Sequence, residues 1–224
     1  MKIAISGASG KTGFRVAEEA IRKGHKVHLL IRKTSIIPES LENCKKTVLS
    51  LNSQKDLDQA LSGEDALVIA TGARPSIDLT GPAKIDALGV KAQVESCKRV
   101  GVNRVVLVSS LCAGKWLHPL NLFGLILIWK RIGENSLINS PLKWTIIRPG
   151  GLNENEKDIE KEKIYYSAEG SQEEGSIPRR LVARCCIESL KSSAAIGKII
   201  EITSNQTQKR ISLDNAIRGF ELSA

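Results

Sequence analysis

Three glycines near the start of the chain have the spacing that holds a phosphate group. Gly7, Gly10 and Gly13 follow an apolar run, Lys2–Ser6, and precede an amphipathic stretch. In such a loop the first glycine allows a sharp turn, the second lets backbone N–H groups approach a pyrophosphate, and the third lets helix and strand pack closely. The amino end of the following helix attracts the anion. The pattern predicts a dinucleotide-binding loop, and the alternative is a tight turn without a ligand.

The residues about 20 positions beyond the glycines indicate which dinucleotide is preferred. A site for NAD has Asp or Glu there, which accepts a hydrogen bond from the ribose 2′-OH. This chain has Ile31, Arg32 and Lys33 instead. A guanidinium pairs with a 2′-phosphate through two hydrogen bonds. We therefore expect NADP(H) to be preferred over NAD(H), with Lys11 and Arg15 as further cations. The alternative is that these cations are ordinary surface charges.

The order of apolar runs and amphipathic stretches predicts the elements that position this loop. The runs are typical of parallel strands covered on both faces, and Gly24 and Gly101 stand where helices end. The alternation implies right-handed crossovers and a doubly wound parallel α/β sheet. The predicted strands are Lys2–Ser6, Lys26–Arg32, Thr47–Leu51, Ala66–Ala70, Arg104–Ser109 and Thr145–Arg148. The predicted helices are Lys11–Gly24, Gln54–Leu61, Pro82–Gly101 and Gly124–Asn139.

The sequence changes character after Gly150. The charged run Asn153–Lys163 predicts a solvated loop or an exposed helix. The elements predicted beyond it are strands at Lys163–Ser167 and Lys198–Thr203 and helices at Pro178–Ser192 and Ser212–Leu222. No linker rich in Gly, Ser or Pro and no internal repeat interrupts the sequence. We therefore expect residues 1–224 to form one domain, in which residues 151–192 cap the sheet and form part of the site wall.

Composition and charge exclude several classes of protein. The chain has 33 Lys and Arg against 24 Asp and Glu, a net charge of +9, and 4% aromatic residues. A specific nucleic-acid binder clusters its cations beside stacking aromatic rings, whereas here the cations are scattered, so we expect no nucleic-acid partner. A site for an acidic ligand or a generally basic surface is favoured instead. The hydrophobic share of 42% excludes a disordered chain.

Cysteine usage and the apolar runs bear on the compartment. The longest apolar stretch, Leu122–Trp129, is far shorter than the roughly 18 residues of a membrane span. The five cysteines form no CxxC and no metal-ligand spacing, which predicts reduced, mostly buried thiols and no metal site. The chain starts directly on a predicted strand, so we expect no targeting segment and a cytoplasmic location.

Several motifs spread along the chain are typical of one protein family. They are Gly7–Gly13, Asp65–Gly72, Gly101–Val102, Arg104–Ser110, His118–Asn121, Trp129–Lys130 and Thr145–Leu152. With them the chain resembles the atypical short-chain dehydrogenases/reductases, of the compact NAD(P)-binding type related to NmrA-like and biliverdin-reductase-B-like proteins. Its nearest resemblance is to small plant and cyanobacterial members similar to the Tic62 NAD(P)-binding domain. The resemblance covers almost the whole chain and implies an NAD(P)-binding Rossmann fold.

The resemblance also implies roles for residues at the ends of the later strands. Ser50–Asn52 would flank the adenine, Thr71–Ala73 would lie along the ribose and phosphate, and Ser109 and Ser110 would lie beneath the nicotinamide. Lys130 would bond the nicotinamide ribose. The predicted cofactor-binding residues are Gly7, Ser9, Gly10, Lys11, Thr12, Gly13, Arg32, Lys33, Leu51, Asn52, Thr71, Gly72, Ala73, Ser109, Lys130, Pro149, Gly150, Gly151 and Leu152.

The sequence departs from the family at the usual proton donor. The family pattern is Ser followed by Tyr-x-x-x-Lys, but Ile126 stands four residues before Lys130 and has no proton to donate. Because reduction of a ketone needs a proton donor, ordinary alcohol dehydrogenase chemistry is not expected. The predicted catalytic residues are Ser110, which can orient a carbonyl or ring nitrogen, Lys130, and His118, whose imidazole suits neutral pH. A structural hydrogen bond is the alternative for His118.

Hydride transfer to a flavin, quinone or bilin needs less from the protein, because such acceptors delocalise charge and can take their proton from solvent. The apolar segment Trp116–Trp129 could line a pocket for a flat aromatic acceptor, meet a second subunit, or rest on a membrane surface. We expect an NADP(H)-dependent oxidoreductase with a small, flat, apolar substrate, as a monomer or homodimer. The alternative is an NADP(H)-binding sensor or scaffold without turnover, which the missing Tyr favours. A sugar-nucleotide epimerase is disfavoured, because the chain after Gly150 is short for a substrate domain.

Overall fold

A computed structural model describes residues 1–73, 80–122 and 124–222, leaving out the side chains of residues 221 and 222. The strands are β1 (Lys2–Ser6), β2 (Lys26–Ile31), β3 (Lys45–Val48), β4 (Ala66–Ile69), β5 (Arg104–Val108), β6 (Lys143–Pro149), β7 (Gly151–Asn153), β8 (Lys163–Ala168), β9 (Ser176–Pro178) and β10 (Lys198–Asn205). The helices are α1 (Gly13–Arg22), α2 (Gln54–Leu61), α3 (Val90–Val100), α4 (Ile126–Ile138), α5 (Arg179–Lys191) and α6 (Leu213–Leu222). A wide helical segment, the π-turn (Ala83–Gly89), leads directly into α3.

The main sheet has the order β3-β2-β1-β4-β5-β6-β10-β8. All of its neighbouring strands are parallel except β8, which pairs antiparallel to β10 at the edge. Strand order reverses between β1 and β4, the point at which open α/β sheets bind their ligands. The prediction of a doubly wound parallel α/β sheet is confirmed.

Each face of the sheet has its own apolar core, because successive side chains of a strand point to opposite faces. Ile3 and Ile5 of β1 pack with α1, α5 and α6, whereas Ala4 packs with α2, α3 and α4. Val106 and Val105 of β5 divide in the same way. All of these strand residues are fully buried, so the sheet is covered on both faces.

Two predicted boundaries were wrong. The third strand covers Lys45–Val48 rather than Thr47–Leu51, because the chain turns at Ser50, whose carbonyl accepts from the N–H of Ser53. The predicted helix Pro82–Gly101 is divided between the π-turn and α3. Residues 154–162 of the charged run form turns and loop between β7 and β8, in agreement with the first of its two predicted forms, and its end residues Asn153 and Lys163 belong to those strands.

The segment of residues 151–192 contributes to several parts of the fold. Strand β8 extends the main sheet, α5 packs against α1, and β7 and β9 pair as a small separate sheet just after Gly150. That this segment caps the substrate side of one domain stays a prediction.

Four of the five cysteines are buried and all five are free thiols, as expected from their spacing. Burial raises the pKa of the Cys97 and Cys186 thiols to about 12, so both stay protonated and unreactive at neutral pH. Within the described ranges, no helix combines the length and hydropathy that a bilayer crossing needs. The same ranges hold no group of three or more His, Cys, Asp or Glu arranged for a metal ion.

Candidate cofactor cleft and active site

A cleft of about 850 Å³ opens at the carboxyl ends of β1 to β4. Its walls include the turn after β1, the loop after β2, the turn after β3 and the segment after β4. The predicted cofactor-binding residues that line it are Gly7, Ser9, Gly10, Arg32, Lys33, Leu51, Asn52, Thr71, Gly72 and Ala73. Asp56, in the first turn of α2, also lines it and was missed from the sequence. Its position one helical turn beyond the predicted adenine segment was the available signal.

The glycine loop is shaped so that side chains do not fit at two of its positions. Gly7 has φ +81°, and a Cβ there would lie 2.7 Å from the carbonyl oxygen of Ala70. A Cβ at Gly13 would overlap the carbonyl oxygen of Gly7, which is the close approach of α1 to β1 expected for this motif. No side chain of the described residues caps α1, whose N-cap is Thr12. The Phe14 N–H donates to the Gly10 carbonyl at 3.0 Å, and the positive amino end of the helix still attracts an anion.

Arg32 and Lys33 are exposed on the wall of this cleft. Their loop is held by Ser35, whose N–H donates to the Arg32 carbonyl at 2.9 Å and whose Oγ accepts from the Arg32 N–H at 3.1 Å. The Ser9 hydroxyl donates to the same Oγ at 3.0 Å, which ties the loop to the glycine turn. No carboxylate of the described chain pairs with either cation. The guanidinium of Arg32 is thus available to a ligand.

Lys11 and Arg15 have carboxylate partners instead. Lys11 pairs with Glu154, and the Arg15 Nε donates to Glu156 at 2.5 Å. Burial raises the pKa of Glu156, but the hydrogen bonds from Arg15 and from Arg180 outweigh it and hold the pKa below its usual value. The expectation that Arg15 supplements Arg32 was wrong, because its side chain is held by the loop after β7. Lys11 lies outside the residues that line the cleft.

Two hydroxyl groups at the ends of neighbouring strands lack a hydrogen-bond partner. The Thr71 Oγ1 follows β4 and the Ser109 Oγ follows β5, and both atoms are buried. Most buried polar atoms in proteins are paired, so an orphan pair at strand ends marks a place for ligand atoms. These hydroxyls and the glycine cradle fit a dinucleotide that runs across the strand ends.

Lys130 lies beside the end of β4 and is held by a carboxylate that the sequence analysis did not identify. Its Nζ donates to the Asp86 Oδ1 at 2.8 Å, and the Asp86 Oδ2 accepts from the N–H of Ala73 at 3.1 Å. A Cβ on Gly72 would lie 3.9 Å from that Nζ. The signal available in the sequence was a single acid within an otherwise apolar stretch, Ile85 to Val90.

A second buried ion pair lies beneath the end of β6. The Arg148 guanidinium donates to both carboxylate oxygens of Glu134, at 2.9 and 2.7 Å, and to Glu169 at 3.0 Å. Burial lowers the pKa of Arg148, but Glu134 and the acids around it outweigh that effect and raise it. The pair locks α4 to β6 just before Pro149–Leu152. Pro149 ends β6 and Gly151 and Leu152 begin β7, with the Gly151 N–H donating to the Gly175 carbonyl at 2.8 Å. All four residues lie outside those lining the cleft.

The model of a family of NAD(P)H-binding proteins matches residues 7–193. The chain belongs to this family. Among curated proteins, it is 32% identical to a chloroplastic protein of Arabidopsis thaliana of uncharacterized function, over 91% of this chain and 76% of that protein. It is 31% identical to the chloroplastic protein TIC 62 of Pisum sativum, over 91% of this chain and 43% of the relative. A sanguinarine reductase of Eschscholzia californica is 27% identical, with 91% and 89% covered.

Solved structures of NAD(P)-binding proteins share the fold over nearly the whole chain. A putative NAD-dependent epimerase/dehydratase of Bacillus halodurans has a TM-score of 0.84 and 26% identity, with 98% and 99% covered. An anaerobilin reductase of Escherichia coli O157:H7 has a TM-score of 0.74 at 20% identity, with 95% and 100% covered. A short-chain dehydrogenase/reductase of Veillonella parvula in complex with NADP has a TM-score of 0.73 at 19% identity, with 95% and 99% covered. These structures share the fold of the chain, and the family match makes it an NAD(P)-binding protein.

The surroundings of Ile126 and Ser110 bear on which group could donate a proton in this protein. Ile126 packs with Leu111, Cys112 and Leu127, so an apolar side chain occupies the position of the usual Tyr. Ser110 is half-buried, and its carbonyl accepts from the N–H of Ala113 at 3.3 Å.

His118 stabilises a turn through hydrogen bonds to the backbone. Its Nδ1 accepts from the N–H of Leu120 at 3.2 Å, and its carbonyl accepts from the N–H of Asn121 at 2.9 Å. It lies outside the residues lining the cleft. The hydrogen bond at Nδ1 therefore favours the structural alternative for His118. Ser110 and Lys130, which also lie outside the residues lining the cleft, stay predicted catalytic residues.

The loop that contains His118 carries an apolar surface. Trp116 is 69% exposed, Leu117 fully exposed and Leu122 84% exposed. Phe123, which belongs to the same predicted segment, lies outside the described residues. Large apolar side chains grouped on a surface are typical of a site for an apolar ligand or partner.

Proposed function

We propose that this protein is an NADP(H)-dependent oxidoreductase that moves hydride to or from a small conjugated acceptor of the flavin, quinone or bilin type, in the cytoplasm. The observation that carries the proposal is Arg32. Its guanidinium shares one cleft with the glycine loop and has no carboxylate partner among the described residues. A 2′-phosphate offers it the paired acceptors that a guanidinium binds best.

The residues at the strand ends would hold the rest of the cofactor. The backbone of Gly7 and Gly10 and the amino end of α1 would bind the pyrophosphate. The orphan hydroxyls of Thr71 and Ser109 would donate to the ribose and nicotinamide, and Lys130 would bond the nicotinamide ribose. When bound, NADPH supplies the hydride, so the protein has to orient the two reactants and exclude competing groups.

A conjugated acceptor agrees with the proton donors available. Ile126 has no proton to give, and the Nδ1 of His118 is engaged in its turn. An acceptor that delocalises the incoming charge can take its proton from solvent, with Ser110 orienting a carbonyl or ring nitrogen. The exposed apolar side chains of Trp116, Leu117 and Leu122 suit a flat apolar molecule. A sanguinarine reductase and an anaerobilin reductase among the similar proteins support the same class.

Titration of the purified protein with NADPH and with NADH tests the cofactor preference. We expect NADPH to bind at least tenfold more tightly than NADH, because only NADPH has a phosphate for Arg32. In Arg32→Glu the new carboxylate repels the phosphate and can accept from a 2′-OH, so the preference should be lost or reversed. Arg218→Glu, an equal change of charge on an exposed residue of α6, should leave both affinities unchanged. Equal affinities in the wild type would contradict the proposal.

A second function, NADP(H) binding by a sensor or scaffold without turnover, is favoured by the apolar Ile126 where the family has Tyr. Steady-state oxidation of NADPH with a panel of flavins, quinones and bilins separates the two. Turnover with any of these acceptors supports the oxidoreductase. Tight NADPH binding without turnover for every acceptor supports the sensor.

A further inference from the structure

Asp86 is a buried acid that bridges two parts of the site. Its side chain is 2% exposed and that of its partner Lys130 is 14% exposed. One carboxylate oxygen accepts from Lys130 and the other from the backbone N–H of Ala73. An unpaired buried charge costs folding free energy, so the carboxylate of Asp86 and the ammonium of Lys130 stabilise each other in this position. The side chain therefore connects α4 to the segment that follows β4.

The backbone around Asp86 is shaped to bring this carboxylate to Lys130. The acid lies in the π-turn, whose wider winding interrupts the helix that continues as α3. Gly133 of α4 packs so closely that a Cβ there would overlap the carbonyl oxygen of Asp86. π-type segments inside helices are frequent at functional sites. Residues of the same segment, Lys84 and Ile85, line the cleft, so Asp86 lies directly behind its wall.

The ion pair lies beside two residues that line the cleft. Gly72 and Ala73 line the cleft, and a Cβ on Gly72 would stand 3.8 Å from the Asp86 Oδ1 and 3.9 Å from the Lys130 Nζ. The ammonium has three N–H donors, of which Asp86 takes one. Among the described residues no further acceptor pairs with this ammonium, which lies beside the end of β4, where the cofactor ribose would pass.

We infer that Asp86 is a positioning residue for the nicotinamide half of the cofactor: it holds the Lys130 ammonium and the Ala73 amide in the arrangement that receives the nicotinamide ribose. This inference rests on the proposed function. It predicts that Asp86 affects the binding of only the nicotinamide half of the dinucleotide. An ion pair needed merely for folding would not have such a selective effect.

The test compares two ligands, NADPH and 2′,5′-ADP, which contains the adenosine half with its 2′-phosphate but no nicotinamide ribose. We expect Asp86→Asn to weaken NADPH binding at least fivefold and to leave 2′,5′-ADP binding within about twofold of the wild type, by calorimetry. Lys130→Met should have the same selective effect. In the double variant the loss should equal that of Lys130→Met alone, because the amide oxygen introduced by Asp86→Asn can still accept from the Ala73 N–H and the lost charge acts through Lys130.

Asp58→Asn is the matched control, since it removes one carboxylate charge from an ion pair with Arg99 on the outer face of α2 and α3. It should leave both affinities unchanged. Unfolding temperatures of all variants should be measured alongside. If Asp86→Asn does not fold, ¹³C spectra of the labelled wild type replace it, and the Asp86 carboxylate resonance should shift with NADPH and not with 2′,5′-ADP.

Three results would overturn the inference: wild-type affinity for NADPH in Asp86→Asn, equal weakening of both ligands, or additive losses in the double variant. An unshifted Asp86 resonance with NADPH would do the same. If the wild type binds 2′,5′-ADP but Asp86→Asn shows no selective loss, only this inference fails. If the wild type binds neither ligand, the proposed function fails and the inference with it.

Discussion

The two sides of the candidate site handle charge in opposite ways. On the β2 side (Arg32, Lys33 and Ser35), the cations are exposed and have no carboxylate partner within the described ranges. On the α4 side (Asp86, Lys130, Glu134 and Arg148), the charged groups are buried and paired with one another. Free cations attract an anion and are neutralised by it, whereas buried pairs hold side chains in place before any ligand arrives. The β2 side is therefore suited to select a phosphate, and the α4 side to orient the reacting half of a cofactor.

The largest effect on stability is expected from a substitution that disturbs packing on the α4 side. In Gly133→Ala the new Cβ overlaps the carbonyl oxygen of Asp86, so α4 and the π-turn must separate. We expect a loss of roughly 3 kcal/mol in unfolding free energy, or about 6–12 °C in unfolding temperature. Gly219→Ala is the matched control, because a Cβ on that helical glycine of α6 meets no described atom outside its own helix within 4 Å. A thermal scan in which both variants unfold at the wild-type temperature would contradict the close packing.

Gly72→Ala, between the β2 side and the α4 side, should weaken NADPH binding and leave stability nearly unchanged. The nearest atoms to the added Cβ are 3.8 and 3.9 Å away, which is ordinary contact, so the unfolding temperature should change by less than about 2 °C. The methyl group occupies space in front of Lys130, so NADPH binding should weaken about tenfold by fluorescence titration. Binding of 2′,5′-ADP should change less. Unchanged NADPH affinity in this variant would mean that the ribose does not pass over Gly72.

A smaller effect on unfolding free energy is expected from lowering the pH, through His28 of β2. Its ring is buried between Glu64 at 2.9 Å and the Thr47 hydroxyl at 2.8 Å. Burial lowers the pKa of His28, an effect that Glu64 only partly offsets. The unfolded imidazole takes up a proton below about pH 6.5 while the folded one stays neutral, so stability is complete above that pH and falls as the pH decreases.

Between pH 7 and pH 6 this contribution amounts to at most roughly 0.7 kcal/mol. Urea unfolding at several pH values measures it. His28→Asn retains a donor for Glu64 and cannot take up the proton, so the slope of unfolding free energy against pH should decrease in this variant. The same slope in the wild type and in His28→Asn would assign the pH dependence to other groups.

Much of the fold followed from local patterns, and the exceptions have tertiary causes. The apolar runs predicted β1, β4 and β5 because strands covered on both faces carry apolar residues at every position. The third strand was misplaced by two to three residues, since its exposed edge position weakens the apolar signal there. The long helix before Gly101 is divided where Gly133 of α4 packs against the π-turn, and that contact joins residues far apart in sequence.

The candidate site shows the same distinction. Spacing alone placed Gly7 and Arg32 in one cleft, because the turn after the first strand and the end of the second strand lie at fixed distances along a βαβ unit. The position of the Arg15 side chain could not be predicted in this way, because Glu156, which lies 141 residues further along the chain, binds it. His118 was equally open to two roles until the turn around it was known.

By itself, the sequence determined the α/β architecture and the glycine turn that forms one wall of the cleft, because turn geometry and two-sided burial act within one strand–helix unit. Only the tertiary structure decided which charges are free and which are paired. Arg32 is available and Lys11 is engaged, and Asp86 lies against Lys130 from another element. An ion pair depends on distances of a few ångströms between side chains, and folding sets those distances independently of separation along the chain.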